Sequence, residues 1–343
     1  MKNFRVKIEN TALAYECAAD DTLLRGALRS GLGMSYECNV GSCGSCKFTL
    51  VEGEVQTIWA DAPGLGKRDL ERGRRLACQS VPLSDCTIKA MLGEGYVSSP
   101  SPTRLEAELR EIVRVTHDMC EFRFRCGAPA VFKPGQYALL GLKDSAGGEV
   151  QRAYSMCNVG NREGDWNFII RHVPNGAMTS RLFHALHLGD RIEIDGPYGL
   201  AYLRPESTRD LVCIAGGAGL SPTISIARGM VREPALAARR MLFFFGGRGP
   251  RDICGEDLLR ELPYFGDRIH YHAAISDPSA EGAAAWQGAR AWVHELMLET
   301  LGTGLADHEY YMAGPPPMIE AVLKCLIVDQ KVPAAQIHYD RFF

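Results

Sequence analysis

Apolar and polar positions follow three rhythms along the chain. In residues 1–92, "FRVKIE" and "LAYEC" alternate with period two and predict a hairpin. "DDTLLRGALRSG" predicts a helix with Asp20 or Asp21 at its N-cap and Gly31 past its end. A loop rich in glycine and cysteine follows, then strands at "CKFTLVEG" and "CTIKAM". "GEGYVSSPSPT", residues 93–103, has the Gly, Ser and Pro content of a linker. From about 104 to 205, "RLEAELREIVRVT", "CEFRFRC", "GQYALLGL", "NFIIRHV" and "RIEIDGPYG" keep period two between Gly, Pro and Asn breaks. That predicts a small antiparallel barrel, interrupted by one helix at "MTSRLFHAL". From 206 onward, apolar strands such as "LVCIAGG", "RMLFFFGG", "RIHYHAAIS" and "HEYYMAG" alternate with helical stretches. This order predicts a doubly wound parallel sheet.

The chain has 343 residues, which suits two or three domains. A hydrophobic content of 46% and a charged content of 23% are ordinary for a globular protein. Net charge is −3, so no global basic field favours nucleic acid. No run approaches the roughly 18 apolar residues of a membrane span, and "MKNFRVKIEN" has no signal-peptide core. A soluble cytoplasmic protein with no membrane partner is expected.

Cysteine changes the picture. "CNVGSCGSC" places Cys38, Cys43 and Cys46 at C-x4-C-x2-C spacing. Structural zinc sites usually offer two C-x2-C pairs, or Cys with paired His, whereas here only Cys43 and Cys46 form such a pair. Cys78 in "RLACQS" supplies a fourth sulfur at the plant-type [2Fe–2S] spacing. Gly41 and Gly44 let the backbone turn its N–H groups toward an anionic cluster. The other eight cysteines (17, 86, 120, 126, 157, 213, 254, 325) are scattered and read as small buried hydrophobes.

"IAGGAGLSP" ends a predicted strand and opens a helix. Gly217, Gly219 and Pro222 form G-x-G-x-x-P, a variant dinucleotide fingerprint. "RAYS" puts Arg152 and Tyr154 on one strand face, which alone is as consistent with plain barrel surface. "VPNGAMTSRLF" offers a second helix start suited to phosphate. Two phosphate cradles beside an aromatic residue point to a second phosphate-bearing cofactor besides the dinucleotide.

Together, "YECNVGSCGSCKFTLVEGEV", "DAPGL", "LACQSVPLSD", "PGQY", "RAYSMCN", "VPNG", "DGPYG", "AGGAGLSP", "AGPPPM" and "IHYDRFF" cover the whole chain. They resemble the reductase components of multicomponent aromatic-ring oxygenases, within the ferredoxin–NAD(P)H reductase superfamily. The pattern is especially similar to reductases of carbazole-type dioxygenases and toluene-type monooxygenases. The resemblance implies a multidomain α+β and α/β protein: a β-grasp plant-type ferredoxin domain (1–92), an antiparallel β-barrel FAD domain (104–205) and a Rossmann-like NAD domain (206–343). It implies that Arg152 reaches a flavin phosphate, Tyr154 packs on the isoalloxazine and Ser155 bonds near its reactive nitrogen. Gly176, Thr179 and Ser180 would hold the pyrophosphate. Gly216, Gly217, Gly219 and Gly314 would line the nicotinamide nucleotide. The terminal Phe342 and Phe343 would cover the flavin or border the nicotinamide, with a plain core-plugging role as the alternative. One departure stands out: many relatives carry Cys before the "GPP" turn, where this chain has Ala313.

No C-x-H/C-x2-H, E-x-x-H or H-E-x-x-H pattern occurs, so the chain has no sequence signature for activating oxygen. The expected activity is transfer of electrons from NADH through FAD and the [2Fe–2S] cluster to a Rieske ferredoxin or terminal oxygenase component. Rival readings are a reductase for a di-iron monooxygenase, a reductase for a deoxysugar dehydratase, and a non-enzymatic iron–sulfur redox sensor. Asp252 in "GGRGPRD" is the candidate for the ribose hydroxyls of NADH, or only a cap of the following helix. "GKRDLERGRRLAC" packs Lys67, Arg68, Arg72, Arg74 and Arg75 before Cys78; it is a solvated helix face or a docking patch.

Overall fold

A computed structural model describes residues 2–143 and 149–342. The chain divides into two compact units, Met1–Arg104 with Asp195–Leu200, and Leu105–Ile194 with Ala201–Phe343.

The first unit contains β1 (Asn3–Ile8), β2 (Ala14–Ala18), α1 (Leu23–Arg29), β3 (Lys47–Glu52), β4 (Val55–Thr57), α2 (Lys67–Glu71), β5 (Arg74–Leu76), β6 (Ser80–Pro82) and β7 (Cys86–Ala90). Five strands form a mixed sheet in the order β2-β1-β7-β3-β5, in which β1 and β7 run parallel. The alternation read from "FRVKIE" fits: Phe4, Val6 and Ile8 are buried and their neighbours exposed. Helix α1 lies on this sheet through Leu23, Leu24, Ala27 and Leu28. Its interior Gly26 is needed for the close approach, because a Cβ there would sit 2.8 Å from Cys17 Sγ on β2. The N-cap is Thr22, whose hydroxyl accepts the Arg25 amide at 3.3 Å. Asp21, expected at that place, instead accepts the Thr22 amide at 2.8 Å. The cysteine loop joins α1 to β3.

The second unit begins with most of β8 (Thr103–Arg114), then β9 (Met119–Cys126), β10 (Tyr137–Lys143), β11 (Glu149–Ser155), β12 (Asp165–Arg171), α3 (Ala177–His184) and the first half of β13 (Arg191–Tyr198), whose end, from Asp195, belongs to the first unit. The sheet order is β11-β10-β13-β8-β9-β12, and a bridge between Met156 and Phe168 joins its two ends. Closure removes both edges and gives the expected barrel. Its interior is filled by Phe122, Phe124, Leu140, Trp166, Phe168 and Ile194.

The unit continues with β14 (Asp210–Gly216), α4 (Leu220–Met230), β15 (Met241–Gly247), α5 (Glu256–Arg260), β16 (Ile269–Ile275), β17 (Ala289–Arg290), α6 (Val293–Leu301), β18 (His308–Gly314), α7 (Pro316–Leu323) and β19 (Ile337–Arg341). All six strands are parallel, in the order β17-β16-β15-β14-β18-β19. The central strands are apolar on both faces, as double-sided burial demands. Cys213, Ala215, Phe243 and Phe245 face Leu220, Ile224 and Ala227. Val212, Ile214 and Phe244 face Val293, Met297, Ile319 and Val322. The strand order reverses between β14 and β18, which places a ligand crevice beyond their C-terminal ends. Seven of the eight scattered cysteines are buried and Cys254 half-buried, as their reading as small hydrophobes requires. No helix among the described residues is long and apolar enough to cross a membrane.

Candidate cluster, flavin and nucleotide sites

In the first unit, Cys38, Cys43 and Cys46 lie on the α1–β3 loop, and Cys78 on a short helical turn after β5. The Ala77 amide donates to the Cys46 carbonyl at 2.9 Å and ties the two segments together. Backbone amides point at the sulfurs. Cys43 N–H donates to Cys38 Sγ at 3.3 Å, and Ser45 N–H to Cys43 Sγ at 3.4 Å. The loop needs left-handed backbone at Gly41 (φ +88°) and Gly44 (φ +78°). A Cβ on Gly44 would also lie 2.5 Å from the Gly64 carbonyl oxygen.

The four thiols stand in two pairs. The hydrogen bond from Cys38, aided by Ser45, holds the Cys43 thiol down to about 5, while Cys38 is pushed up. Cys46 is lowered by its hydrogen bond with Cys78, and Cys78 is raised in turn. In each pair one sulfur is thus shifted toward the thiolate form that binds metal. Among the described residues, no three His, Cys, Asp or Glu side chains gather as they would for one metal ion. Two thiol pairs suit a two-iron centre, in which each iron takes two protein sulfurs. Donor type, pairing and inward amides therefore fit a [2Fe–2S] cluster.

In the second unit, Arg152, Tyr154 and Ser155 lie on β11. Arg152 is exposed and pairs with Leu140 of β10, while Tyr154 pairs with Ala138. The half-buried Tyr154 packs against the barrel core, and burial raises its phenol above the usual value. Ser155 is buried, and its carbonyl accepts a 2.6 Å hydrogen bond from the Ser221 hydroxyl. Ser221 Oγ also accepts the Ile169 amide at 3.1 Å, so the first turn of α4 is bound to two barrel strands.

Gly176 is the N-cap of α3. A Cβ there would lie 2.7 Å from Thr179 Oγ1, so only glycine leaves this turn open. Thr179 Oγ1 donates to the Val173 carbonyl at 3.1 Å and accepts the Val173 amide at 3.2 Å. Its hydroxyl therefore shapes the "VPNG" turn. Ser180 is half-buried in the same first turn. The α3 start has the positive end of the helix dipole and room at Gly176 for a phosphate.

The glycines of the third constellation converge where β14 and β18 end. A Cβ on Gly219 would lie 1.9 Å from the Ala313 carbonyl oxygen, and one on Gly216 2.7 Å from Met318 Sδ. Gly217 has φ +56° and Gly314 φ +153°. A Cβ on Gly314 would meet Met318 Cε at 2.7 Å and the Gly216 oxygen at 3.1 Å. The β14–α4 turn therefore rests on β18 backbone to backbone and leaves an open cradle above. Phe342 donates its amide to the Gly314 carbonyl at 3.0 Å, so it borders this cradle. Phe343 lies outside the described residues.

Sequence reasoning missed a charged group beside the cradle. Arg171, at the end of β12, stands over the glycine turn, with Nη1 3.4 Å from the position a Gly217 Cβ would take. Its Nε bonds Asp118 Oδ2 at 2.6 Å. Burial works to raise the Asp118 carboxyl, but hydrogen bonds from Arg171 and Thr116 outweigh it and hold it below the ordinary value. His117 Nε2 lies 3.7 Å from Asp118 and 3.9 Å from Asp252. Asp252 accepts the Gly249 amide at 3.0 Å, capping its own short turn after β15. The only local signal for Arg171 was a cation ending the apolar run "NFII".

Four thiols in two pairs, a barrel with an Arg-x-Tyr-Ser strand and a glycine cradle at a topological switch point define an iron–sulfur flavoprotein oxidoreductase of the pyridine-nucleotide type. Family models agree: a 2Fe-2S iron-sulfur cluster binding domain matches residues 6–83, an oxidoreductase FAD-binding domain 106–202 and an oxidoreductase NAD-binding domain 213–324. The chain is 40% identical to a ferredoxin–NAD(P)(+) reductase of Metapseudomonas resinovorans, over 99% of this chain and 100% of that one. It is 34% identical to the ferredoxin–NAD(+) reductase component of the alkene monooxygenase system of Xanthobacter autotrophicus, over 97% and 99%. The solved structure of a ferredoxin reductase in carbazole 1,9a-dioxygenase superposes with a TM-score of 0.89 at 37% identity, covering 100% of this chain and 99% of that one. The chain belongs to the family of ferredoxin–NAD(P)+ reductases that carry their own [2Fe–2S] domain.

Proposed function

We propose that this chain is the NADH-dependent reductase of an aromatic-ring oxygenase system, delivering electrons to a Rieske ferredoxin or directly to a terminal oxygenase component. The observation that carries the reading is one chain holding both a dinucleotide cradle and four paired thiols. The relatives support the oxygenase link, since their names assign them to a dioxygenase or monooxygenase system. When bound, FAD takes a hydride from NADH and releases its two electrons singly, and the cluster relays them.

The protein's share is positioning. Arg152 offers its exposed guanidinium to a flavin phosphate, and Gly176, Thr179 and Ser180 present the α3 start to the pyrophosphate. Tyr154 gives the isoalloxazine a half-buried ring to pack on. Ser155, fixed through its carbonyl by Ser221, would hydrogen-bond near the flavin's reactive nitrogen. Gly216, Gly217, Gly219 and Gly314 leave room for NADH, and Phe342, whose amide bonds the Gly314 carbonyl, borders the nicotinamide. Steady-state turnover tests the reading. The purified protein, loaded with FAD and iron, is expected to oxidise NADH with ferricyanide and with one-electron protein acceptors. NADH oxidation by neither would remove it, and a sensor would behave that way.

Arg171 sits where the nucleotide phosphates would lie, with its charge shared by Asp118. Losing a charge-assisted hydrogen bond costs about 1.5–3 kcal/mol, which is roughly 10- to 100-fold in binding. Arg171→Ala is therefore expected to raise the KM for NADH by about tenfold or more, with flavin content unchanged. An unaltered KM would free Arg171 from the nucleotide.

Asp252 lies just beyond β15, where an acidic group would bind the adenosine ribose and repel a 2′-phosphate. The Gly249 amide fixes one of its oxygens. NADH is expected to be preferred over NADPH, and Asp252→Ala to reduce that preference by about tenfold. Kinetics with both nucleotides would show whether the carboxylate discriminates or only caps its turn; an unchanged ratio means only a cap.

A further inference from the structure

The stretch from Ile58 to Arg72 runs along the cysteine loop of the first unit. Trp59 lies directly against it: a Cβ on Gly41 would be 3.2 Å from Trp59 Cε3. The Gly64 amide donates to the Gly41 carbonyl at 2.9 Å. Helix α2 is fastened to the same loop through Lys47. That side chain would touch a Gly44 Cβ at 3.2 Å and bonds Asp69 at 2.8 Å. Arg74 bonds the other Asp69 oxygen at 3.0 Å, so Asp69 is neutralised from two sides.

This border is apolar where a soluble protein is usually polar. Trp59 is 44% exposed, Ile58 57% and Leu70 55%. None of the three is among the buried core residues. Lys67, Arg68 and Arg72 are exposed beside them, and among the described residues none of these cations lies within ion-pair distance of a carboxylate. Asp61 and Glu71 are the exposed acids of the stretch, fewer than the unpaired cations. The cluster of five basic residues read from the sequence is thereby divided. Arg74 is spent on Asp69, and Arg75 lies on β5 opposite Phe48. The free charge is at positions 67, 68 and 72.

We propose that Trp59, Ile58 and Leu70, rimmed by Lys67, Arg68 and Arg72, form the docking face for an electron-accepting protein whose redox centre is ringed by carboxylates. The inference rests on the reading that this chain delivers electrons to a protein. An exposed aromatic centre with a charged rim is the arrangement that anchors transient complexes, with Trp as anchor and the rim steering the encounter. The acceptor must be acidic there, because like charges at such a rim are repulsive.

The test uses the full holoprotein with NADH and two probes of opposite sign. Cytochrome b5 presents a haem edge ringed by carboxylates, and cytochrome c one ringed by lysines. Arg68→Glu/Arg72→Glu is expected to lower kcat/KM for cytochrome b5 by about tenfold and to flatten its salt dependence. Cytochrome c reduction should be unchanged or faster, and ferricyanide reduction unchanged. Trp59→Ala, and the milder Trp59→Leu, should lower cytochrome b5 reduction by about tenfold at every salt concentration. The iron–sulfur absorption is read for each variant, and the exposed charge pair decides the matter if Trp59→Ala disturbs the loop. Cytochrome b5 kinetics that keep their rate and salt dependence in the charge-reversed protein would overturn the face alone. A wild-type protein that reduces ferricyanide but neither cytochrome would overturn the electron-delivery reading, and the face with it.

Discussion

Cys43→Ser is expected to eliminate the iron–sulfur absorption and all electron delivery to protein acceptors, while NADH still bleaches the flavin. Cys43 is one of the two sulfurs shifted toward thiolate. It accepts the Ser45 amide, and its hydrogen bond with Cys38 brings the thiol down to about 5. A serine hydroxyl is a harder and far less acidic ligand, ill suited to iron that prefers thiolate. The hydride half has its own foundation. The cores of the barrel and the parallel sheet lie in the second unit and contain no residue of the first. Absorbance spectra before and after NADH, with ferricyanide and cytochrome rates beside them, check the expectation. Loss of flavin reduction in a folded variant would show that the two halves are not separable.

Gly219→Ala is expected to have the largest effect on the nucleotide side. The added methyl would start 1.9 Å from the Ala313 oxygen, and the nearest atoms are all backbone, the Ala313 carbonyl and Gly314 nitrogen. No rotamer relieves such a clash, so the β14–α4 turn must lift away from β18. Overpacking of this kind costs about 1–3 kcal/mol, roughly 2–10 °C in Tm for a unit of this size. The same displacement opens the cradle between Gly216 and Gly314. The KM for NADH is expected to rise by more than about tenfold, beyond the loss in stability alone. The iron–sulfur spectrum should not change, since the cluster residues belong to the first unit. Thermal melts with NADH kinetics separate the two effects. A variant with wild-type melting and wild-type KM would mean that the turn is not closely seated.

Most of this architecture was legible where a rhythm was long. Period-two segments gave the barrel strands, and the double-sided apolar runs "LVCIA" and "MLFFF" gave the parallel sheet. Short elements were not legible. β17 has two residues and β19 five, and at the sheet edges neither carries an apolar pattern strong enough to stand out from a loop. The basic stretch read as one helix face because charge periodicity cannot tell a helix from a helix followed by an edge strand. α2 ends at Glu71, and Arg74 and Arg75 instead pair with Thr49 and Phe48 of β3. The cluster ligands were visible because three of four lie within one loop. Arg171, Asp118 and His117, and their grouping with Asp252, were invisible because β9, β12 and the turn after β15 bring them together from distant positions. No local spacing encodes such a group. Thr179 was noticed for phosphate, yet the structure gives its hydroxyl a shaping task in the turn.

The central claim, that electrons enter as hydride in the second unit and leave through the four-thiol centre of the first, is tested most directly by anaerobic rapid mixing of the holoprotein with excess NADH. Flavin and iron–sulfur absorbance are followed separately. The account predicts two ordered phases, flavin bleaching first and loss of the iron–sulfur bands afterwards, with the second phase absent in Cys43→Ser. Iron–sulfur bands that stay fully oxidised beside a reduced flavin, or that fade before it, would contradict it.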